Sequence, residues 1–242
     1  MIGFSRDGDV VTIELQREER RNALNAELCD LLRDAVEKAT NEDARAIVLT
    51  GRGSVFCAGA DLSEVYSENF TENLLGMLHT IDSVPVPVIA AVNGPALGAG
   101  TQLAIASDLR VVSPDAFFAI PAAKLGITVD RWTARRLASL VGGGPARTIL
   151  LGAEPVWAQD AYGYGLANKL GTLADAHAWA KSIAELAPLT LQHLKLVLND
   201  DGTQDEESHE QRAALLTAWT SDDAKEGRLA RKEKRHPKFT GR

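Results

Sequence analysis

The sequence is poor in the residues that build redox, metal or disulfide sites. Its 242 residues include only two cysteines, Cys29 and Cys57, without CxxC spacing, and five scattered histidines. This pattern argues against a disulfide framework, a zinc site or a histidine-based catalytic triad. Because free cysteines fit a reducing compartment, we predict a cytoplasmic protein.

Positive charge is scarce over most of the chain. The formal net charge of −7 argues against a general nucleic-acid binder. The distribution is uneven, since residues 225–242 hold eight Lys or Arg against two Glu, about +6, and the rest carries about −13. This basic C-terminal segment is either an anion contact or a solvated last helix.

Long uninterrupted apolar runs are missing. Residues 84–107 carry no charge and are numerous enough to span a bilayer, but Pro85, Pro87 and Pro95 interrupt them. The first 16 residues carry acidic groups where a signal peptide would be apolar. We therefore predict a buried strand and helix in 84–107, and no transmembrane segment.

The common nucleotide and hydrolase fingerprints are missing as well. After Gly51 and Gly53, Phe56 stands where a dinucleotide-binding sequence needs its third glycine. Neither a P-loop nor a Gly-x-Ser-x-Gly sequence occurs. The glycines of the loop at 51–62 need another explanation.

The apolar pattern predicts strands that alternate with helices, followed by helices alone. With 45% hydrophobic residues the chain can bury a large core. Asn25 is expected to cap a first helix. Strands are predicted at 10–15, 46–49, 88–92, 109–112 and 116–120, and later helices at 132–140, 145–151, 156–164, 174–186, 189–198 and 206–219. This order is typical of an α/β core with a helical C-terminal part.

The stretch VIAAVNGPALGAGTQLAIASD at 88–108 reads as a strand, a tight turn and the start of a helix. The first backbone N–H groups of a helix have no partner inside it, and the helix dipole makes this end partly positive. Small residues at Ala96, Gly98, Ala99 and Gly100 let a ligand reach the backbone. They equally allow a helix to pack tightly on a sheet.

Four segments carry the most specific signal: ERRNALNAEL at 19–28, AIVLTGRGSVFCAGADLSE at 46–64, VNGPALGAGTQLAIASDLRV at 92–111 and EKRHPKF at 233–239. In order and spacing they resemble the crotonase, or enoyl-CoA hydratase/isomerase, superfamily, especially its short actinobacterial members that lack the hydratase glutamates. The resemblance implies a ββα-repeat acyl-CoA-binding core at 1–190 and a helical oligomerisation and coenzyme-contact region at 191–242. It also implies homotrimers or dimers of trimers, and a coenzyme A thioester as ligand without a separate cofactor.

By position, the resemblance assigns two oxyanion-hole N–H groups to Ala60 and Ala99. Loss of one such donor typically costs ~10²- to 10³-fold in rate. Lys234 would meet the phosphates of the coenzyme, and Asp61 is expected to be structural. The adenine and pantetheine path is assigned to the backbone near Ala23, Leu24, Ala58 and Leu62. The predicted substrate-binding set also includes Asp61, Gly98, Gln102, Ala122 and Trp132.

The sequence departs from the family pattern at the two positions that supply the catalytic acid and base in hydratases. Gln102 and Ala122 stand where hydratases have their two glutamates. Neither side chain exchanges protons near neutral pH. General acid–base catalysis typically raises the rate ~10²- to 10⁴-fold per group. Efficient two-carboxylate hydration is therefore not expected.

One ionisable residue remains at a matching position. Asp130 has the spacing of the catalytic aspartate in dienoyl-CoA isomerases of the family, but an aspartate before a helix is often only a cap. Glu64 and Glu68 are weaker substitutes on an acidic segment. Acyl-chain contacts, or equally core residues, are predicted at Leu62, Val65, Phe70, Leu74, Leu75, Leu78 and Trp132.

Three hypotheses follow for the function. The first is a protein of lipid metabolism that binds fatty acyl-CoA with little chemistry of its own. The second is an isomerase or related enzyme in which Asp130 transfers a proton on an enoyl-CoA. The third is a hydratase, a lyase by reaction class, that works poorly or with unrecognised groups.

Overall fold

The computed structural model describes residues 1–65, 67–199 and 209–240. The chain forms two compact units. The first consists of Met1–Phe118 and Val156–Asn199, and the second of Ala119–Pro155 with the described part of 200–242. The functional division into 1–190 and 191–242 stays a prediction.

The fold is mixed α/β, as predicted. The strands are β1 Ile2–Asp7, β2 Val10–Leu15, β3 Ala46–Gly51, β4 Val88–Val92, β5 Ala96–Leu97, β6 Leu109–Val112, β7 Phe117–Ala119, β8 Val156–Trp157 and β9 Lys169–Leu170. The helices are α1 Ala26–Asn41, α2 Glu68–Ser83, α3 Ala99–Ala106, α4 Arg131–Val141, α5 Gly143–Leu150, α6 Ala158–Gly163, α7 Leu173–Ala184, α8 Pro188–Asn199, α9 His209–Thr220 and α10 Asp222–Lys232. Two 3₁₀ turns lie at Glu18–Arg20 and Ala122–Leu125.

The larger sheet has the strand order β1-β2-β3-β4-β6-β9. Strands β1 and β2 pair antiparallel, and the others pair parallel. The carboxyl ends of β3 and β4 therefore lie at one edge, where the loops at 52–62 and 93–98 begin. This edge is where open parallel sheets commonly bind ligands. A smaller sheet combines β5, β7 and β8.

Apolar faces of two helices build much of the core of the first unit. Helix α1 buries Leu28, Leu32 and Val36, which are spaced along one helical face. The predicted cap is confirmed, since the Leu28 N–H donates to Asn25 Oδ1 at 3.0 Å. On the sheet, strand residues pack with Ala176, Ala180 and Ile183 of α7.

Several element predictions differ from the structure. The sequence analysis does not predict strand β1, which is partly buried only at its first residues, or helix α2, which begins in an acidic segment. A last helix, one of the two alternatives for the basic C-terminal segment, is present as α10. The predicted helix at 156–164 starts instead as strand β8 before α6. Of the predicted helix at 206–219, residues 206–208 lie outside the described residues.

A buried ion pair joins α8 to the starts of two strands. Lys195 is 8% exposed, and its Nζ donates to Asp108 Oδ2 at 2.8 Å. The same ammonium donates to the carbonyls of Ile81 at 3.0 Å and Val86 at 3.2 Å. Asp108 Oδ2 also accepts the Val88 N–H at 2.7 Å. One lysine therefore satisfies three acceptors and fixes α8 at the amino end of β4.

In the second unit, a carboxylate network ties the C-terminal segment to α10. Arg235 forms a two-pronged pair with Glu226, with Nη1 to Oε1 at 2.5 Å and Nη2 to Oε2 at 2.8 Å. The Lys238 N–H donates to Glu226 Oε1 at 2.8 Å. The Arg235 hydrogen bond and then the Lys238 N–H hold the pKa of Glu226 down at about 2.

We expect Arg235→Met to raise the pKa of Glu226 towards ~4.3, the ordinary value of a glutamate. A carboxyl group with a depressed folded-state pKa stabilises the fold above its unfolded pKa, and this contribution is lost as the pH falls through the folded value. The wild-type network should therefore weaken only between pH ~4.3 and about 2. A ¹³C NMR titration of glutamate carboxyls checks this.

Lys225→Met provides the matched control. Lys225 pairs with Asp222 at 2.7 Å on the same helix, without contacting Glu226 in the described hydrogen bonds. The titration of Glu226 should be unchanged in this variant. If the titration of Glu226 is also unchanged in Arg235→Met, Arg235 is not the cause of the low pKa of Glu226.

Candidate functional site

Two loops at the carboxyl edge of the large sheet run side by side. The Cys57 N–H donates to Pro95 O at 3.3 Å, and the Leu97 N–H donates to Cys57 O at 2.9 Å. Cys57 and Ala96 form a parallel bridge. The loop after β3 is therefore paired with the turn that leads into α3.

The other side of the loop after β3 pairs with the segment before α1. The Leu24 N–H donates to Gly59 O at 2.8 Å, and the Asp61 N–H donates to Leu24 O at 2.6 Å. In extended chain, successive N–H groups point to opposite sides. The N–H of Ala60, which lies between Gly59 and Asp61, therefore points away from Leu24.

Gly59 brings this N–H close to the start of α3. Its φ is +96°, and an added Cβ would lie 2.7 Å from Leu97 O and 3.6 Å from Ala99 N. Within the described parts of the chain, neither the Ala60 nor the Ala99 N–H donates a hydrogen bond. Two neighbouring backbone donors are thus available to an acceptor at the N-terminus of a helix.

Helix α3 approaches the first loop closely because of two glycines. Gly98, just before the helix, has a φ of +50° and a ψ of −115°, a conformation that favours glycine. A Cβ on Gly100 would collide with the carbonyl oxygen of Cys57 and would lie 2.9 Å from the Cβ of Cys57. All eight residues of α3 are buried, so the helix has no room to shift outward.

We expect Gly100→Ala to destabilise the fold by about 1–3 kcal/mol, the usual cost of overpacking, and to separate the two loops. Thermal and urea unfolding measure the stability. Gly144→Ala is the control, because a Cβ there meets nothing within 4 Å in helix α5. The control should gain helix propensity, and equal losses in both variants would refute the packing argument.

Two side chains that the sequence reasoning missed hold the loops in place. Asn22 is fully buried, and its Nδ2 donates to Arg52 O at 2.9 Å and Val55 O at 2.8 Å. Its φ of +56° lies in the left-handed region, which asparagine tolerates. Arg17 Nη1 pairs with Asp61 Oδ2 at 2.8 Å and donates to Ala23 O at 2.9 Å. The position of Asn22 inside ERRNALNAEL was the available signal.

The acidic residues near the loops have structural partners. Burial acts to raise the pKa of Asp61, but hydrogen bonds from Ser63 and the Arg17 guanidinium outweigh it and lower the pKa. Glu64 Oε2 accepts the Ala26 N–H at 3.0 Å, so this carboxylate caps α1. The side chain of Glu68 lies outside the described residues.

Other predicted positions in the first unit are mostly buried. Gln102 is 7% exposed and lies one turn into α3 after Ala99, so an uncharged amide is directed into the protein. Among the predicted acyl contacts, Leu62 is exposed and Leu75 is half-buried, whereas the following are buried: Val65, Phe70, Leu74 and Leu78. Burial raises the pKa of the Cys57 thiol to about 12, so a thiolate is not available at neutral pH.

The second unit holds four of the predicted site residues. Ala122 begins the 3₁₀ turn Ala122–Leu125. Asp130 is the N-cap of α4, with Oδ1 accepting the Thr133 N–H at 2.9 Å and Oδ2 accepting the Thr133 hydroxyl at 2.6 Å. Trp132 is half-buried, and Lys234 is exposed just after α10 with a φ of +54°.

Membrane and metal features were searched in the described ranges. No helix there is long and apolar enough to cross a membrane. The same residues contain no group of three or more His, Cys, Asp or Glu side chains able to hold a metal ion.

Comparisons with known proteins agree with the geometry. The model of the family described as enoyl-CoA hydratase/isomerase matches residues 5–242. A protein of Mycobacterium leprae named probable enoyl-CoA hydratase echA6 is 53% identical over 246 residues, with both chains covered completely. A solved carnitinyl-CoA hydratase from Mycobacterium avium has a TM-score of 0.86 at 31% identity, covering 100% of this chain and 98% of its own. A methylmalonyl-CoA decarboxylase structure has a TM-score of 0.92 at 25% identity, with the same coverage.

Proposed function

Because the chain belongs to the enoyl-CoA hydratase/isomerase family, we propose that it binds a fatty acyl-CoA or enoyl-CoA thioester at the paired loops. The thioester carbonyl accepts hydrogen bonds from the backbone N–H groups of Ala60 and Ala99. The pairing of these two free donors at the start of a buried helix is the observation that carries the proposal. Such donors stabilise the negative charge that develops on a thioester oxygen.

The rest of the ligand is assigned by family pattern and chemistry. The adenine and pantetheine parts follow the backbone near Ala23, Leu24, Ala58 and Leu62, and Lys234 meets phosphate. The exposed position of Lys234 after α10 supports this role. The acyl chain is held by apolar side chains near α2. No cofactor is required beyond the coenzyme A of the ligand itself.

The proposed site lacks the usual acid and base of a hydratase. By the family pattern, the two glutamates of hydratases correspond to Gln102, which has a neutral amide, and to Ala122, which has only a methyl group. Without these carboxylates, water addition loses ~10²- to 10⁴-fold of assistance per group. We therefore propose that the protein holds and presents acyl-CoA in lipid metabolism and hydrates enoyl-CoA inefficiently.

Catalysis on enoyl-CoA is the second candidate, and the hydratase name of the 53% identical relative favours it. In that case Asp130 is the available acid or base. Both of its oxygens already accept hydrogen bonds from Thr133, which supports the capping role instead. Asp130→Asn should preserve the cap, because asparagine is an equally good N-cap. Loss of turnover without loss of binding would establish the catalytic role.

We also propose a homotrimer or a dimer of trimers. Large apolar side chains on α8 are open to solvent in the single chain, with Leu189 78%, Leu196 72% and Leu198 72% exposed. Side chains of this kind are commonly covered in an assembly.

The binding proposal is tested by calorimetry with hexadecanoyl-CoA and with S-hexadecyl-CoA, a thioether that lacks the carbonyl. Two hydrogen bonds worth about 0.5–1.5 kcal/mol each predict that the thioester binds roughly 5- to 150-fold more tightly than the thioether. Equal affinities of the two compounds would refute the oxyanion hole. Failure of both compounds to bind would refute the proposed ligand class.

A further inference from the structure

The backbone N–H of Ala60, one of the two proposed thioester donors, belongs to the same peptide group as the carbonyl of Gly59. In a trans peptide group the N–H and the C=O point in opposite directions. The Leu24 N–H donates to Gly59 O at 2.8 Å. This hydrogen bond therefore sets the direction of the Ala60 N–H, which points away from Leu24.

The Leu24 N–H is itself part of a peptide group that accepts a charged donor. The carbonyl of that group belongs to Ala23, and Ala23 O accepts a hydrogen bond from Arg17 Nη1 at 2.9 Å. Hydrogen bonds with an ionised donor are roughly twice as strong as neutral ones. The guanidinium of Arg17 is therefore the first member of a chain of hydrogen bonds that passes through two peptide groups and ends at the Ala60 N–H.

An ion pair holds Arg17 at the beginning of this chain. The same Nη1 atom donates to Asp61 Oδ2 at 2.8 Å, so its two hydrogens have two acceptors. The side chains of Arg17 and Asp61 are only 14% and 13% exposed. Asp61 directly follows Ala60, and its N–H donates to Leu24 O at 2.6 Å. Arg17 is therefore connected to both strands of the bridge between Leu24 and Ala60.

This arrangement affects the Ala60 N–H in two ways. Because Ala23 and Asp61 are tied to one side chain, the peptide group between Gly59 and Ala60 is held in a fixed direction. In addition, hydrogen bonds in a chain polarise one another, which strengthens each bond by about 10–30%. The low exposure of the ion pair limits screening by water. The Ala60 N–H is consequently a fixed and strengthened donor.

We infer that Arg17 is a positioning residue of the thioester site, which orients and polarises the Ala60 N–H through two peptide groups. In this role it acts on the ligand's carbonyl only through the backbone. The inference rests on the proposed function, since it concerns the thioester at Ala60 and Ala99. A neutral side chain at position 17 removes the charged donor from Ala23 O, and the hydrogen bond from Ala60 to the thioester is weakened or lost.

A pair of ligands isolates this hydrogen bond from the other contacts of the ligand. Hexadecanoyl-CoA has the thioester carbonyl, whereas S-hexadecyl-CoA has the same coenzyme and an alkyl chain of the same length without it. The ratio of their dissociation constants, measured by calorimetry, cancels changes that affect the coenzyme or the chain. The infrared C=O stretch of bound hexadecanoyl-CoA, labelled with ¹³C at the carbonyl, reports directly on hydrogen bonding to the oxygen.

Three variants at position 17 separate the charged donor from the rest of the side chain. Arg17→Met removes the charge and the donors, Arg17→Gln is polar but neutral, and Arg17→Lys keeps the charge as a conservative rescue. Arg52→Met is the matched control. Arg52 begins the same loop, and its guanidinium donates to the Glu14 carboxylate, with Nη2 at 3.0 Å and Nε at 3.2 Å, instead of to the peptide groups of the chain.

We expect Arg17→Met and Arg17→Gln to lower the preference for the thioester over the thioether by roughly 2- to 12-fold, the contribution of one hydrogen bond. The C=O stretch should move to higher wavenumber in both variants. Arg17→Lys should retain most of the preference, and Arg52→Met should change neither measurement. If Arg17→Met does not fold, the comparison of Arg17→Gln with Arg17→Lys decides the question.

An unchanged ratio and an unchanged C=O stretch in Arg17→Gln would overturn the inference. An equal loss of affinity for both ligands, without a shift of the C=O stretch, would overturn it as well, because a residue that only supports the fold weakens both ligands alike. A wild-type protein that binds neither ligand, or binds both equally, would instead refute the proposed function itself.

Discussion

Replacing Lys195 by methionine is expected to lower the free energy of unfolding by about 3–5 kcal/mol, the usual cost of removing one partner of a buried ion pair. The variant leaves Asp108 and the carbonyls of Ile81 and Val86 without the ammonium that now contacts them. Methionine fills a similar volume, so the loss reports mainly on the uncompensated polar groups. Urea unfolding followed by circular dichroism measures it.

Lys181→Met is the matched control for this prediction. Lys181 pairs with Asp7 at 2.7 Å, close to the 2.8 Å of the Lys195 pair, but its side chain is 57% exposed. Water screens and replaces such surface pairs, so the control should unfold almost like wild type. Similar behaviour of the two methionine variants would contradict the role given to the buried pair.

Adding the missing carboxylates is expected to create hydratase activity. In the double variant Gln102→Glu with Ala122→Glu, both positions that the family pattern assigns to the hydratase acid and base carry a carboxylate. Each group should raise the rate by ~10²- to 10⁴-fold, and the pair should exceed either single change. The measurement is the loss of enoyl-CoA absorbance at saturating substrate.

Ala123→Glu, combined with Gln102→Glu, controls for added charge alone. Ala123 is the exposed neighbour of Ala122 in the same 3₁₀ turn, so its carboxylate enters solvent. This control should match the Gln102→Glu single variant. If the double variant hydrates enoyl-CoA no faster than the wild-type protein, other groups already perform the hydration.

Local sequence patterns predicted the parts of the site that depend on neighbours in the chain. The small residues around Gly98 and the apolar stretch after it correctly predicted a helix that begins at Ala99. Asn25 was recognised as a cap because capping involves only the next three residues. The strand-turn-helix reading of 88–108 holds for the same reason.

Local sequence patterns could not predict contacts between residues that are distant in the chain. Asp108 and Lys195 are 87 residues apart, and neither side chain carries a periodic signal. Asn22 contacts carbonyls 30 and 33 residues away, and only the fold brings them together. Asp130 is a different case, because its contact with Thr133 is local and a cap is one of the two alternatives that the sequence predicts. A local pattern cannot decide between that cap and a catalytic role.

The most direct test is native mass spectrometry of the wild-type protein with short- and long-chain 2-enoyl-CoA in ¹⁸O-labelled water. One spectrum reports the bound ligand, the mass of the assembly and any change in the acyl chain. The account predicts a long-chain thioester that stays bound and unchanged. Rapid entry of ¹⁸O into the acyl chain would contradict it, because hydration would then proceed without carboxylates at Gln102 and Ala122.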